Sequence, residues 1–132
     1  MTTHHDLTKN QELVFAALSA ADGPLSAYTI LDRLRDRGFR APLQVYRALD
    51  KLTDYGLVHR LESINSFVAC AGSHCHGHGS LAFAICERCG QVEEFSDETV
   101  ETRLTDWSRE HGFKPTKTAI EIRGTCANCL AA

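Results

Sequence analysis

The chain has 132 residues, 43% hydrophobic and 23% charged, a length that suits one domain or two small ones and a composition that excludes a disordered, collagen-like or coiled-coil chain. Its net charge is -3. The charge divides unevenly, with 8 Lys/Arg against 7 Asp/Glu in residues 1–60 and 6 against 10 in residues 61–132, so any polyanionic partner is expected at the first half.

Thr8-Lys9-Asn10-Gln11 has the spacing of a capping box, and Leu13, Val14, Ala17, Leu18 and Ala21 follow at helical spacing, which predicts a helix from about Thr8 to Ala20. Gly23-Pro24 ends it. Ser26 is the N-cap expected for a second helix with Ala27, Ile30, Leu31 and Leu34 on its apolar face and Gly38 at its end. Pro42 suits the first position of a third helix, although Ala41 is a poor N-cap. Along that helix Val45, Leu49 and Leu52 are expected to point inward and Gln44, Arg47 and Lys51 outward, up to Gly56. Two β-type runs, residues 57–61 and 66–69, are separated by a hairpin-length connection. Three short helices followed by a β-hairpin is the element order of a winged helix-turn-helix.

The second half changes character. Residues 70–79 are rich in Cys, His and Gly, and strands are predicted at Leu81 to Ile85, Gln91 to Phe95 and Thr118 to Ile122, with a helix from about Asp97 to His111 bearing Val100, Leu104 and Trp107 on one face. The expected architecture is α+β, with a winged-helix domain over 1–69 and a small metal-binding α/β domain over 70–132. Each half is small enough to need a staple beyond its apolar core.

No apolar run approaches the roughly 20 residues that span a bilayer, and Met1-Thr2-Thr3-His4-His5-Asp6 reads as no secretory signal. A reducing, cytoplasmic setting is therefore expected, in which 6 Cys and 7 His point to metal ligation before disulfides. Cys86-Glu87-Arg88-Cys89 and Cys126-Ala127-Asn128-Cys129 are two C-x2-C knuckles. Each gap lets both thiolates face one ion, and together they make the tetrahedral sulfur set that favours Zn2+. A redox dithiol or buried unliganded cysteines are the plainer alternatives. A second, looser cluster holds His59, Cys70, His74, Cys75, His76 and His78, with Glu93 and Glu94 after the first knuckle. Any one of these histidines could be an ordinary solvated loop residue, but a thiolate among imidazoles and a carboxylate favours Zn2+ over Mn2+ or Mg2+, without excluding iron or nickel.

The run Gln44-Val45-Tyr46-Arg47-Ala48-Leu49-Asp50, the Gly56-Leu57-Val58-His59 stretch and the paired knuckles resemble the ferric uptake regulator family, and within it the zinc uptake regulator branch, over residues 8–130. The resemblance implies a homodimeric, metal-responsive repressor of double-stranded operator DNA, with a C-terminal dimerisation domain, no membrane partner and no small-molecule substrate. It implies two zinc ions per chain. The structural ion falls on Cys86, Cys89, Cys126 and Cys129, and the regulatory one on His59, Cys70, His78 and Glu94, with His76 competing for the place of His78. For DNA it points to Tyr28 and Arg47, with Tyr46 beside them. Arg47 suits guanine and Lys51 suits phosphate, and Gln44 shares that outward face. Iron-type members carry a His before the second helix and another in the last strand, where this chain has Gly23-Pro24 and Thr118.

Zinc-uptake genes are the targets implied. The rivals are an iron-, manganese- or peroxide-sensing regulator of the same family and a thiol redox sensor. A zinc hydrolase or deaminase is disfavoured, because neither H-E-x-x-H nor H-x-E followed by P-C-x-x-C occurs, and no enzymatic activity is expected.

Overall fold

The computed structural model describes residues 6–70 and 81–131. The chain forms two compact units, Met1–His76 and Gly77–Ala132. His74, Cys75, His76 and His78 lie outside the described residues.

The first unit opens with α1 (Lys9–Ala20). Thr8 caps it reciprocally with Gln11: the Gln11 N–H donates to the Thr8 hydroxyl at 3.2 Å, and the Thr8 N–H donates to Gln11 Oε1 at 3.0 Å. Such a cap contributes about 1 kcal/mol. Helix α2 (Ala27–Arg33) starts from Ser26, whose hydroxyl accepts from the Thr29 N–H at 3.2 Å. A 3-10 turn, Arg35–Arg37, follows and closes at Gly38, whose φ of 97° is in the left-handed region that glycine enters without strain. Helix α3 (Pro42–Asp54) solves its poor N-cap in a way the sequence reading does not anticipate. Gln44 Oε1 accepts from the Arg40 N–H at 2.6 Å and the Ala41 N–H at 3.1 Å, so half of a capping box works without a capping hydroxyl.

Strands β1 (Val58–Leu61) and β2 (Ser66–Ala69) form an antiparallel hairpin with His59 opposite Val68 and Arg60 opposite Phe67. Its connection is a 3-10 turn ending at Asn65, in left-handed backbone at φ 48°. The chain between α1 and α2 adds a bridge that periodicity does not reveal. Leu25 N–H donates to the Phe67 carbonyl at 3.0 Å, and the Phe67 N–H donates back at 2.8 Å. This ties the wing to the helices, and Leu25 and Phe67 join Val14, Ile30, Phe39, Val45, Leu49 and Leu52 in one core.

The second unit is a three-stranded sheet of order β4-β3-β5 with two helices: β3 (Leu81–Cys86), β4 (Val92–Phe95), α4 (Glu98–Glu110), β5 (Ala119–Gly124) and α5 (Ala127–Ala131). Strands β3 and β4 are antiparallel; β3 and β5 are parallel, with α4 in the crossover between them. The Asp97 carboxylate caps α4 by accepting from the Val100 N–H at 3.1 Å. Among the described residues only Ala82, Phe83, Ile85 and Cys86 of this unit are fully buried, against fifteen apolar residues in the first unit. Val100, Leu104 and Trp107, the stripe expected to pack, are 41, 39 and 48% exposed.

Candidate metal centre and nucleic-acid face

The two knuckles meet because parallel pairing places Cys86, at the end of β3, opposite Gly124, at the end of β5. Gly90 supplies the left-handed residue, at φ 79°, that turns the chain after Cys89. The Gly90 N–H donates to the Cys86 carbonyl at 3.0 Å and the Cys86 N–H to the Gln91 carbonyl at 2.9 Å. On the other side Cys126 precedes α5, a five-residue helix too short to read from periodicity, and Cys129 rides on it. The Sγ pairs Cys86/Cys129 and Cys89/Cys126 are both 3.7 Å apart, and all four sulfurs lie within 4.8 Å of one another. Zn–S bonds of about 2.3 Å in a regular tetrahedron require sulfur-to-sulfur edges of about 3.8 Å. The donor set therefore fits a four-coordinate structural zinc in chemistry and in spacing.

Electrostatics supports the same reading. Cys86 Sγ accepts from the Cys89 N–H at 3.5 Å and the Cys126 N–H at 3.3 Å, and these two bonds lower its pKa to about 6. Cys129 is pushed up to about 12, chiefly by hydrogen bonding to Cys126 and then to Cys86. At Cys89 the Gln91 backbone N–H pulls the pKa down, but the neighbouring thiols and desolvation outweigh it and the pKa is raised. Four thiols this close cannot all ionise without a compensating cation.

Within the first unit, the hairpin brings His59 and Cys70 together. His59 pairs with Val68, so Cys70, two residues on, is its diagonal neighbour on the same face, and the Cys70 N–H donates to the Leu57 carbonyl at 2.8 Å. Their ligand atoms lie within 4.8 Å, both residues are half-buried, and His59 Nε2 is screened from solvent. One feature departs from the expectation of free thiols. Cys70 is disulfide-bonded in this structure, and metal ligation requires its reduced, thiolate form. Glu94 is half-buried on β4, opposite Phe83. His76 and His78, the two candidates for the loop ligand, are outside the described residues.

On the nucleic-acid side, α3 buries Val45, Ala48, Leu49 and Leu52 and leaves Leu43, Arg47, Asp50 and Lys51 exposed. Tyr28 is 62% exposed in the first turn of α2. Two other residues expected at DNA also have contacts within the protein. Gln44 uses its side-chain oxygen to cap α3, and Tyr46 is half-buried against the core.

A family model for the ferric uptake regulator family matches residues 4–123. The chain is 42% identical to the zinc uptake regulation protein of Escherichia coli K12 over 125 residues, covering 94% of this chain and 72% of that one. The chain belongs to the ferric uptake regulator family. Among solved structures, a zinc uptake regulator complexed with zinc and DNA superposes with a TM-score of 0.87 at 38% identity, covering 94% of this chain and 83% of that one. The crystal structure of holo XcZur gives 0.86 at 40% identity, covering 96% and 87%. Family membership accounts for the winged helix joined to a small α/β unit.

Proposed function

We propose that this chain is a zinc-responsive transcriptional repressor that binds operator DNA as a homodimer and controls zinc-uptake genes. The observation that carries the reading is the placement of His59 beside Cys70 on the wing hairpin, an imidazole–thiolate pair once Cys70 is reduced, in a chain whose relatives at about 40% identity are zinc uptake regulators. That pair favours zinc over manganese or magnesium. The absence of the iron-type histidines at Gly23-Pro24 and Thr118 argues the same way.

In this reading Cys86, Cys89, Cys126 and Cys129 hold the structural ion. His59 and Cys70, with Glu94 and His78 or His76, hold the regulatory one. The regulatory ion, when bound, supplies a cross-link between wing and dimerisation unit that favours conformers with two recognition helices at half-site spacing. Helix α3 is the reader. Arg47 presents its planar guanidinium to guanine, and Lys51 and Tyr28 meet the backbone, with Tyr46 and Gln44 setting the pose of the helix. The exposed stripe of Val100, Leu104 and Trp107 is the dimer-forming surface. The protein acts in the cytoplasm and catalyses no reaction. Among the described residues no helix is long and apolar enough to cross a membrane.

The test is operator binding titrated with Zn2+, Fe2+ and Mn2+, alongside metal content per chain. Zinc should drive binding at the lowest free concentration. A response to Fe2+ or Mn2+ at lower concentrations than Zn2+ would make the protein an iron- or manganese-type regulator instead. The disulfide at Cys70 favours one second reading, a thiol redox sensor. In that case mild peroxide, rather than zinc depletion, would release the protein from DNA.

A further inference from the structure

The first unit concentrates its positive charge in one place. Of the 8 Lys and Arg in residues 1–60, four fall within eight residues: Arg33, Arg35, Arg37 and Arg40. All four are exposed, and together they cover the turn from α2 into α3. Counting Asp32 and Asp36, the segment 32–40 is still net +2 in a chain of net charge -3.

The turn is held from beneath. Leu34 and Phe39 are 7% and 2% exposed, and the Phe39 N–H donates to the Leu34 carbonyl at 3.3 Å. The Arg37 N–H also donates to the Leu34 carbonyl, at 2.9 Å, and the Gly38 N–H donates to the Arg35 carbonyl at 3.4 Å. Gln44 fastens the Arg40 N–H to the first turn of α3. The guanidinium groups thus stand on an anchored base rather than on a free loop.

Local pairing leaves most of the charge uncompensated. Arg35 is bonded to Asp32 at 3.1 Å, while among the described residues Arg33, Arg37 and Arg40 enter no ion pair. Three unpaired guanidiniums on a fixed turn, just ahead of the helix that exposes Arg47 and Lys51, match the spread-out negative charge of a phosphodiester backbone better than they match a single carboxylate.

We propose that Arg33, Arg37 and Arg40 form a phosphate clamp on the DNA backbone beside the groove entered by α3, positioning the reader without reading sequence. The proposal rests on the reading of the chain as a DNA-binding regulator. It assigns most of the sequence-independent affinity of the first unit to a segment outside the recognition helix.

The experiment uses the zinc-loaded full chain and a mixed-sequence DNA duplex, with affinity measured against salt concentration. Each phosphate contact contributes about 0.9 to the slope of log affinity on log salt, so replacing all three arginines by Gln should flatten the slope by about 2 to 3 per bound chain. The triple Lys variant, which keeps the charge, should retain the slope. Circular dichroism and zinc content should not change in either variant, because all three side chains are solvent-exposed. Arg123→Gln, in the second unit, serves as a single-charge control outside the clamp and should leave the slope alone. If wild type binds and the triple Gln variant keeps the wild-type slope and affinity, the clamp is overturned while the DNA-binding reading stands. If the zinc-loaded wild type does not bind duplex at any salt concentration, that reading falls and takes the clamp with it.

Discussion

Arg47 and Gln44 are three residues apart on one helix, and their surroundings give them different work. Arg47 is exposed on the face opposite Val45, Ala48, Leu49 and Leu52. If it reads a guanine, Arg47→Ala should cost about 1–3 kcal/mol of operator affinity and relax specificity at one position per half-site, with zinc content unchanged. Full operator affinity in that variant would remove α3 as the reader. Gln44 has its oxygen on two backbone N–H groups. Gln44→Ala should therefore show first in stability, with about 1 kcal/mol lost in a denaturant melt, before any change in which bases are preferred. At the sulfur cluster, Cys129 and Cys89 hold their protons at neutral pH while Cys86, at about 6, does not. Zinc must displace at least two protons there, so its affinity should fall at least about 100-fold per pH unit on acidification, and more steeply below pH 6 where Cys86 also protonates. Competition against a chromophoric chelator on either side of pH 6 would measure this. A pH-independent affinity would show that the four thiols do not form the site.

Elements were legible where a local signal fixed them. Thr8 and Gln11 cap α1 as their spacing says, Ser26 and Asp97 cap α2 and α4, and the wing strands fall within a residue of the alternating runs. What escaped was non-local or short. The Leu25–Phe67 bridge depends on chain segments 42 residues apart, and α5 has only five residues. The cap that Gln44 makes on α3 is hidden for a similar reason, because periodicity reports a face and not a hydrogen-bond partner. The metal residues divide in the same way: the C-x2-C spacing marks the sulfur set outright, whereas the His59–Cys70 pairing follows from hairpin register. Helix α4 shows the opposite failure. Its stripe predicts burial, yet Leu104 and Trp107 are exposed in the single chain. Such a stripe is explained when a second copy covers it. Leu104→Glu should leave the helix content intact and shift the protein from dimer to monomer in analytical ultracentrifugation. A variant that remains fully dimeric would place the interface elsewhere.

At the scale of the whole molecule, the two metal sites are expected to differ in what their loss does. Among the described residues the second unit buries few apolar side chains, so a structural ion there has to supply stability that the core does not, and a small domain has little to spare. The wing unit has a full core of its own, and His59 and Cys70 sit at its edge without being needed to close it. The purified protein, reduced, should therefore hold two zinc ions per chain, one resistant to mild chelation and one removable. Cys126→Ser takes a thiolate from the sulfur set and should cost the dimer or the fold. Cys70→Ser should stay folded and dimeric and retain about one zinc while losing zinc-dependent operator binding, and His59→Ala should behave alike if both residues hold one ion. Circular dichroism, sedimentation and zinc content would be read on the same preparations. Unchanged zinc dependence in Cys70→Ser would sink the regulatory assignment. A Cys126→Ser protein that folds normally and merely stops responding to metal would exchange the roles of the two sites.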